Sequence, residues 1–209
     1  MINILCYGDS NTHGTMPMAH AGDVRRFGPQ QRWPGIMQAE LGPNYHVIEE
    51  GLPGRTSVFD DPMEGAHKNG RTYLQPCLES HWPLDFVVLA LGVNDLKARF
   101  GLSADDIACA VGTLAAATKV LTAAAGHPAR IILVAPPPII CTAWAGPMYQ
   151  GGAQKALDLA ALFKGEADFH GTGFFDAGQV AKVCALDGIQ FDEAGHRALG
   201  LAMAALIGA

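Results

Sequence analysis

The chain has 209 residues, 49% of them hydrophobic and 16% charged, with a formal net charge of −6 at pH 7. That length and apolar fraction suffice for a sizeable core and exclude a disordered chain. An acidic balance with no run of Lys and Arg to track a phosphate backbone excludes nucleic acid as a partner.

Residues 2–7 form a short apolar run that stops at Gly8-Asp9-Ser10. No basic segment precedes it and the run is brief, which is not the pattern of a secretory signal; a cytoplasmic location is expected. The run reads as a buried strand ending in a turn. In an α/β protein that turn lies where ligands bind, so Ser10 is a candidate nucleophile, although Gly, Asp and Ser are also ordinary turn formers. Residues 33–41 read as a short helix and 45–49 as a second strand, followed by Gly51-Leu52-Pro53-Gly54-Arg55. A helix is predicted over 72–81, weakened by Pro76. Residues 86–91, Phe-Val-Val-Leu-Ala-Leu, are continuously apolar, as in a strand buried on both faces, and run into Gly92-Val93-Asn94-Asp95.

A long Ala-rich helix is predicted over 103–125, with Ser103 as its cap. No stretch reaches the ~18 uninterrupted apolar residues of a membrane helix. Residues 130–135 form the fourth strand. The segment 136–152, rich in Pro, Gly and aromatics, reads as a long functional or interfacial loop. A helix over 154–167, a strand over 173–175, the turn Asp187-Gly188-Ile189-Gln190 and a helix over 193–207 complete the chain. This alternation predicts a single α/β domain over 1–209. Its architecture is a flavodoxin-like three-layer α/β/α sandwich with about five parallel strands and right-handed crossovers. The five cysteines are odd in number and form no CxxC, which predicts buried or inert thiols in a reducing compartment.

Four motifs follow strands: Ser10, Gly54, Asn94-Asp95 and Asp187-x-x-Gln190. In a parallel sheet the carboxyl ends share one edge, so the four are expected to meet in one cleft. Together they resemble, end to end and in order, the blocks of the SGNH, or GDSL-like, hydrolase superfamily. Val47-Ile48-Glu49-Glu50-Gly51-Leu52, Pro136-Pro137-Pro138, Gly151-Gly152-x-Gln154-Lys155 and Phe175-Asp176-Ala177-Gly178 are similar to segments of its bacterial arylesterase/acyltransferase branch. The resemblance implies that Ser10 attacks an ester carbonyl. It also implies an oxyanion hole made by the backbone N–H groups of Ser10 and Gly54 with the Asn94 amide. Short-chain or aryl esters are the implied substrates, with water or an alcohol as acceptor and no cofactor. His13, Trp144 and Met148 are candidates for the substrate pocket. Relatives of this branch assemble, and loop aromatics such as Trp144 and Tyr149 suit subunit contacts, so a homo-oligomer is expected.

One departure stands out. The family's last block ends in the histidine that activates the serine, and here that position is Gln190. An amide cannot accept and return a proton near neutral pH. Asp187, which would orient the imidazole, has none to hold. Three readings stay open: an introduced substitution, a natural protein of reduced or lost activity, or a repositioned base. His196 is expected to pack or cap rather than to act as that base. A non-catalytic acyl or ester binder, or an assembly protein of the same fold, is the alternative to an impaired serine esterase. Residues 51–57 lack the spacing of a phosphate loop, Gly8–Gly14 lacks GxGxxG, and no HExxH, paired CxxC or EF-hand pattern occurs, so no metal is implied.

Overall fold

A computed structural model describes residues 1–141 and 144–209. Its strands are β1 (Ile2–Gly8), β2 (Tyr45–Gly51), β3 (Phe86–Ala90), β4 (Arg130–Ala135) and β5 (Gly173–Asp176). The helices are α1 (Ser10–His13), α2 (Trp33–Leu41), α3 (Gly70–His81), α4 (Ala104–Ala124), α5 (Gly152–His170) and α6 (Glu193–Gly208). All strand pairs are parallel, in the order β2-β1-β3-β4-β5. Gly8 is in register with both Gly51 and Ala90, so β1, β2 and β3 end at one level. The segments that follow them therefore emerge along one rim.

Strands β1, β3 and β4 are buried on both faces, and their alternating side chains feed two cores. Leu5, Tyr7, Val87, Leu89, Ile131 and Leu133 pack with α3, α4 and α5. Ile4, Cys6, Val88, Ile132 and Val134 pack with Trp33 and Met37 of α2 and Leu199 and Met203 of α6. This is the expected α/β/α sandwich. The expected elements are all present: 33–41 and 130–135 have the expected bounds, and the others differ at one or both ends. Asn69 caps α3 through the Arg71 N–H, which starts that helix two residues early. Pro76 lies inside α3 on its exposed face, where water can take the carbonyl that proline leaves unbonded. Ser103 caps α4 in a reciprocal arrangement with Asp106.

Helix α4 is, by length and a mean hydropathy of 1.6, long and apolar enough to cross a membrane; half of that window is buried against the sheet and neighbouring helices. Cys6 and Cys77 are buried, as expected, whereas Cys109 is exposed. Burial, slight as it is, and then the neighbouring Glu166 push the Cys109 thiol up, which keeps it protonated. The loop 136–152 contains a turn of 3-10 helix over Gly146–Tyr149.

Candidate active site

The one-turn helix α1 carries Ser10 as its first residue, a feature too short for periodicity to reveal. Asp9 caps it, its Oδ1 accepting from the Asn11 N–H at 2.9 Å. Gly51 is glycine for a steric reason: a Cβ there would lie 2.1 Å from the His13 nitrogen. The end of β2 and α1 can approach only without a side chain. Ser10 is 6% exposed at the floor of the cleft.

The next loop is tied to β1. The Leu52 N–H donates to the Gly8 carbonyl at 3.1 Å. Arg55 Nη1 donates to the same carbonyl at 2.9 Å and to the Glu50 carbonyl. Gly54 adopts φ +81°, a left-handed conformation that favours glycine, and a Cβ there would displace the flexible end of Glu64, whose Oε2 lies 2.3 Å away. Asn94 follows β3. Its Nδ2 donates to the Arg55 carbonyl at 3.1 Å, and Tyr149 Oη donates to its Oδ1 at 3.4 Å. One amide hydrogen thus orients Asn94, and the second has no acceptor among the described residues. Asp95 accepts from the Ser57 N–H at 3.0 Å and from the Ser57 hydroxyl, joining the two loops. Burial pushes Asp95 up to about 6.

Asp187 is fully buried and takes the N–H groups of Ile189, Gln190 and Met18, each at 2.9 Å. It folds the turn rather than holding a side chain. Gln190 Nε2 reaches Ser10 Oγ at 3.0 Å, while its Oε1 is buried with no partner among the described residues. Asn11 supports this contact from both sides. Its Oδ1 accepts from the Phe191 N–H at 2.9 Å and its Nδ2 donates to the Ile189 carbonyl at 3.1 Å. The residue next to Ser10 thereby grips the residues flanking Gln190, across 180 positions of chain.

Ser10, Gly54, Asn94 and Gln190 line one cavity of about 250 Å³, with Trp144, Met148 and His13 in its wall. Asp187 sits behind it. Trp144 is anchored by its indole N–H on the Met18 carbonyl at 2.6 Å, and Tyr149 is buried against Asn94, so both aromatics serve the cleft. Thr142 and Ala143 of the same loop lie outside the described residues. His13 Nδ1 pairs with Thr15 Oγ1 at 3.1 Å; burial, then Arg26 and Arg32, hold its pKa below the usual value. His196 is buried, with Nδ1 on the Trp33 N–H at 3.3 Å and its ring edge-on to Phe27 and Phe191. Burial pushes it down to about 4, and it packs as expected.

Several supporting residues escaped the sequence reading. Lys97 lines the cavity and pairs with Glu64 at 2.5 Å, and Arg99 pairs with Asp61 at 3.0 Å, a charged cluster beside Gly54. Asn11 carries no spacing signal, and Tyr149 was expected as an aromatic of the 136–152 loop but not as a partner of Asn94. Their partners lie far away in sequence, and only adjacency to Ser10 or placement in the aromatic loop pointed towards them. A larger groove of about 760 Å³ between α3 and α4 contains none of the four motifs.

The chain matches the GDSL-like Lipase/Acylhydrolase family over residues 6–198. No curated protein matches it. Among solved structures it is similar to the aryl esterase of M. smegmatis, with 38% identity, a TM-score of 0.94 and coverage of 100% of this chain and 99% of that one. It is equally similar to Est24, a carbohydrate acetylesterase from Sinorhizobium meliloti, with 38% identity, a TM-score of 0.94 and the same two coverages. The lipase/acylhydrolase of Enterococcus faecalis, 18% identical with a TM-score of 0.69 over 99% of this chain and 95% of that one, shares the fold.

Proposed function

This chain belongs to the GDSL-like lipase/acylhydrolase family, and from that membership we propose that it is a serine esterase whose turnover is slowed by Gln190. Its substrates are short-chain or aryl carboxylic esters. One observation carries the reading: Gln190 Nε2 stands 3.0 Å from Ser10 Oγ, in the place of a general base, on a cavity shared with Gly54 and Asn94. A volume of about 250 Å³ fits a small acyl group and a small leaving group.

Ser10 Oγ adds to the ester carbonyl carbon, and the carbonyl π electrons move to oxygen. The N–H groups of Ser10 and Gly54 and the free Asn94 amide hydrogen stabilise that oxyanion. Collapse expels the alkoxide or aryloxide and leaves acyl-Ser10. Water, or an alcohol in the transfer reaction, then adds to the acyl carbon and releases Ser10. The difficulty is the proton. The Gln190 amide can hydrogen-bond the hydroxyl but cannot take its proton, which therefore passes to water or to the departing oxygen. Aryl esters suffer least, because a phenol with a pKa of about 10 leaves as its anion, whereas an alkoxide must be protonated as it leaves. Residual activity is therefore confined to activated esters. Homo-oligomerisation is part of the same proposal, with sedimentation of the purified protein as its test.

The amide that points at Ser10 also favours a second reading, a binder of esters that does not turn them over. The test is p-nitrophenyl acetate hydrolysis by the unmodified protein and by Gln190→His and Ser10→Ala. The esterase reading expects Gln190→His to raise the rate by ~10²–10⁴ and Ser10→Ala to abolish it. Equal rates before and after Gln190→His overturn the base position. No turnover in either protein, with ligand-dependent stabilisation, establishes the binder.

A further inference from the structure

Away from the cleft, β2 and α3 bring together three groups of metal-ligand type. Cys77 and His81 are one helical turn apart on α3, i and i+4, so both project from one face. Glu50, one residue before the end of β2, reaches the same spot from the sheet. The Cys77 Sγ, a ring nitrogen of His81 and a carboxylate oxygen of Glu50 lie within 4.8 Å of one another. His81 Nε2 is 2.9 Å from Glu50 Oε1. We propose that Glu50, Cys77 and His81 bind a zinc-type divalent cation that fastens the end of β2 to the end of α3.

The geometry is close to what such an ion needs. Bonds of about 2.3 Å to sulfur and 2.0–2.2 Å to nitrogen and oxygen, at tetrahedral angles, set the ligand atoms about 3.3–3.6 Å apart. His81 and Glu50 would separate by a few tenths of an ångström and Cys77 would turn inward. Thiolate and imidazole select zinc-like ions over magnesium or calcium. Charge also closes: one carboxylate, one thiolate and a neutral imidazole cancel a dication, which suits a half-buried place. Binding releases the Cys77 thiol proton to solvent. The Glu50 and His81 side chains, 22% and 29% exposed, leave a path for the ion and for water as a fourth ligand.

The nearest cation does not claim the Glu50 carboxylate. Arg55 donates to the Gly8 and Glu50 carbonyls and lies 4.1 Å above the Tyr7 ring. The position explains what the ion would do. Arg55 adjoins Gly54, and the Arg55 carbonyl orients Asn94. Clamping Glu50 therefore steadies the segment that leads into both, while leaving Ser10 untouched. The ion is structural and enters no chemical step.

The experiment is a Co²⁺ titration of the chelator-treated protein, read by the sulfur-to-cobalt charge-transfer band in the near ultraviolet, with Zn²⁺ competition. The expected result is a band saturating at one equivalent, abolished by Zn²⁺, absent in Cys77→Ser and weakened in His81→Gln. Zn²⁺ at about 100 times its Kd should also raise Tm by about 5–10 °C. A band that survives Cys77→Ser, or none in the unmodified protein, overturns the site. Should Cys77→Ser fail to fold, His81→Gln and the unmodified titration still decide. Neither readout depends on esterase activity.

Discussion

At the scale of single residues the site turns on one amide. Gln190 occupies the space and makes the hydrogen bond that a base would make, yet its two ends offer only a weak acceptor and a donor. Geometry without a titratable group predicts a sharp gain on Gln190→His, because the surroundings need little change: Asp187 and Asn11 already hold the turn. Asp187 is then asked for something new. Its oxygens take three backbone N–H groups, so it must share an oxygen with the incoming imidazole. We expect kcat on p-nitrophenyl acetate to rise about 10²–10⁴-fold, with a pH profile that acquires a limb near the histidine range. A rise without that limb would assign the gain to something other than a base. Asn94 makes a second prediction. In the Gln190→His protein, Asn94→Ala should lower kcat about 10²–10³-fold, or ~2.7–4 kcal/mol, with KM little changed. A change in KM alone would remove Asn94 from the oxyanion hole.

At the scale of elements, the common ending of β1, β2 and β3 does the assembling. Register places Gly8, Gly51 and Ala90 side by side, and each following segment bends towards the same cavity. Helix α1 supplies the second device. One turn long, it could not persist alone; Asp9 at its start and Asn11 bonded to the 189–191 backbone hold it. Asn11→Ala leaves a buried N–H and a buried carbonyl without partners. Each orphan costs about 1–3 kcal/mol, which a shifted urea midpoint measures. The same change in the Gln190→His protein should depress kcat, since the activating side chain is no longer aimed. Asn11→Asp keeps the acceptor for the Phe191 N–H but sets a buried carboxylate against the Ile189 carbonyl, so it should cost at least as much stability as Asn11→Ala. A more stable Asp variant would show that the Phe191 contact outweighs that repulsion.

At the scale of the whole molecule, placing acidic groups under the cleft has a cost that pH reveals. Burial raises Asp9 from 3.8 to about 7, opposed in part by the Asn11 N–H, and its Oδ2 has no partner among the described residues. The folded state therefore holds this proton more tightly than the unfolded chain. The Asp9 contribution to stability is complete below about pH 4 and declines as pH rises through about 7. Asp9→Asn keeps the cap on Asn11 and removes the titration. Its unfolding free energy should fall less steeply between pH 4 and 7 than that of the unmodified protein. Superimposable pH dependences would show that Asp9 is charged in the fold.

The layers and strand order were legible because continuous apolar runs such as Phe86 to Leu91 need burial on both faces, and because helical stretches between them force parallel crossovers. The four site positions were legible because each follows a strand, and parallel strands share an edge. Element ends shifted where a side-chain cap acted, as Asn69 did for α3. Long-range hydrogen bonds left no trace in sequence: the Asn11 grip on 189–191, the Tyr149 contact with Asn94, and the Lys97–Glu64 pair each join segments with no periodic relation. Local pattern and residue chemistry thus determined which groups this protein offers, including an amide in place of an imidazole. Only the folded chain decided that this amide meets Ser10, because a contact across 180 positions is created by packing and not by spacing.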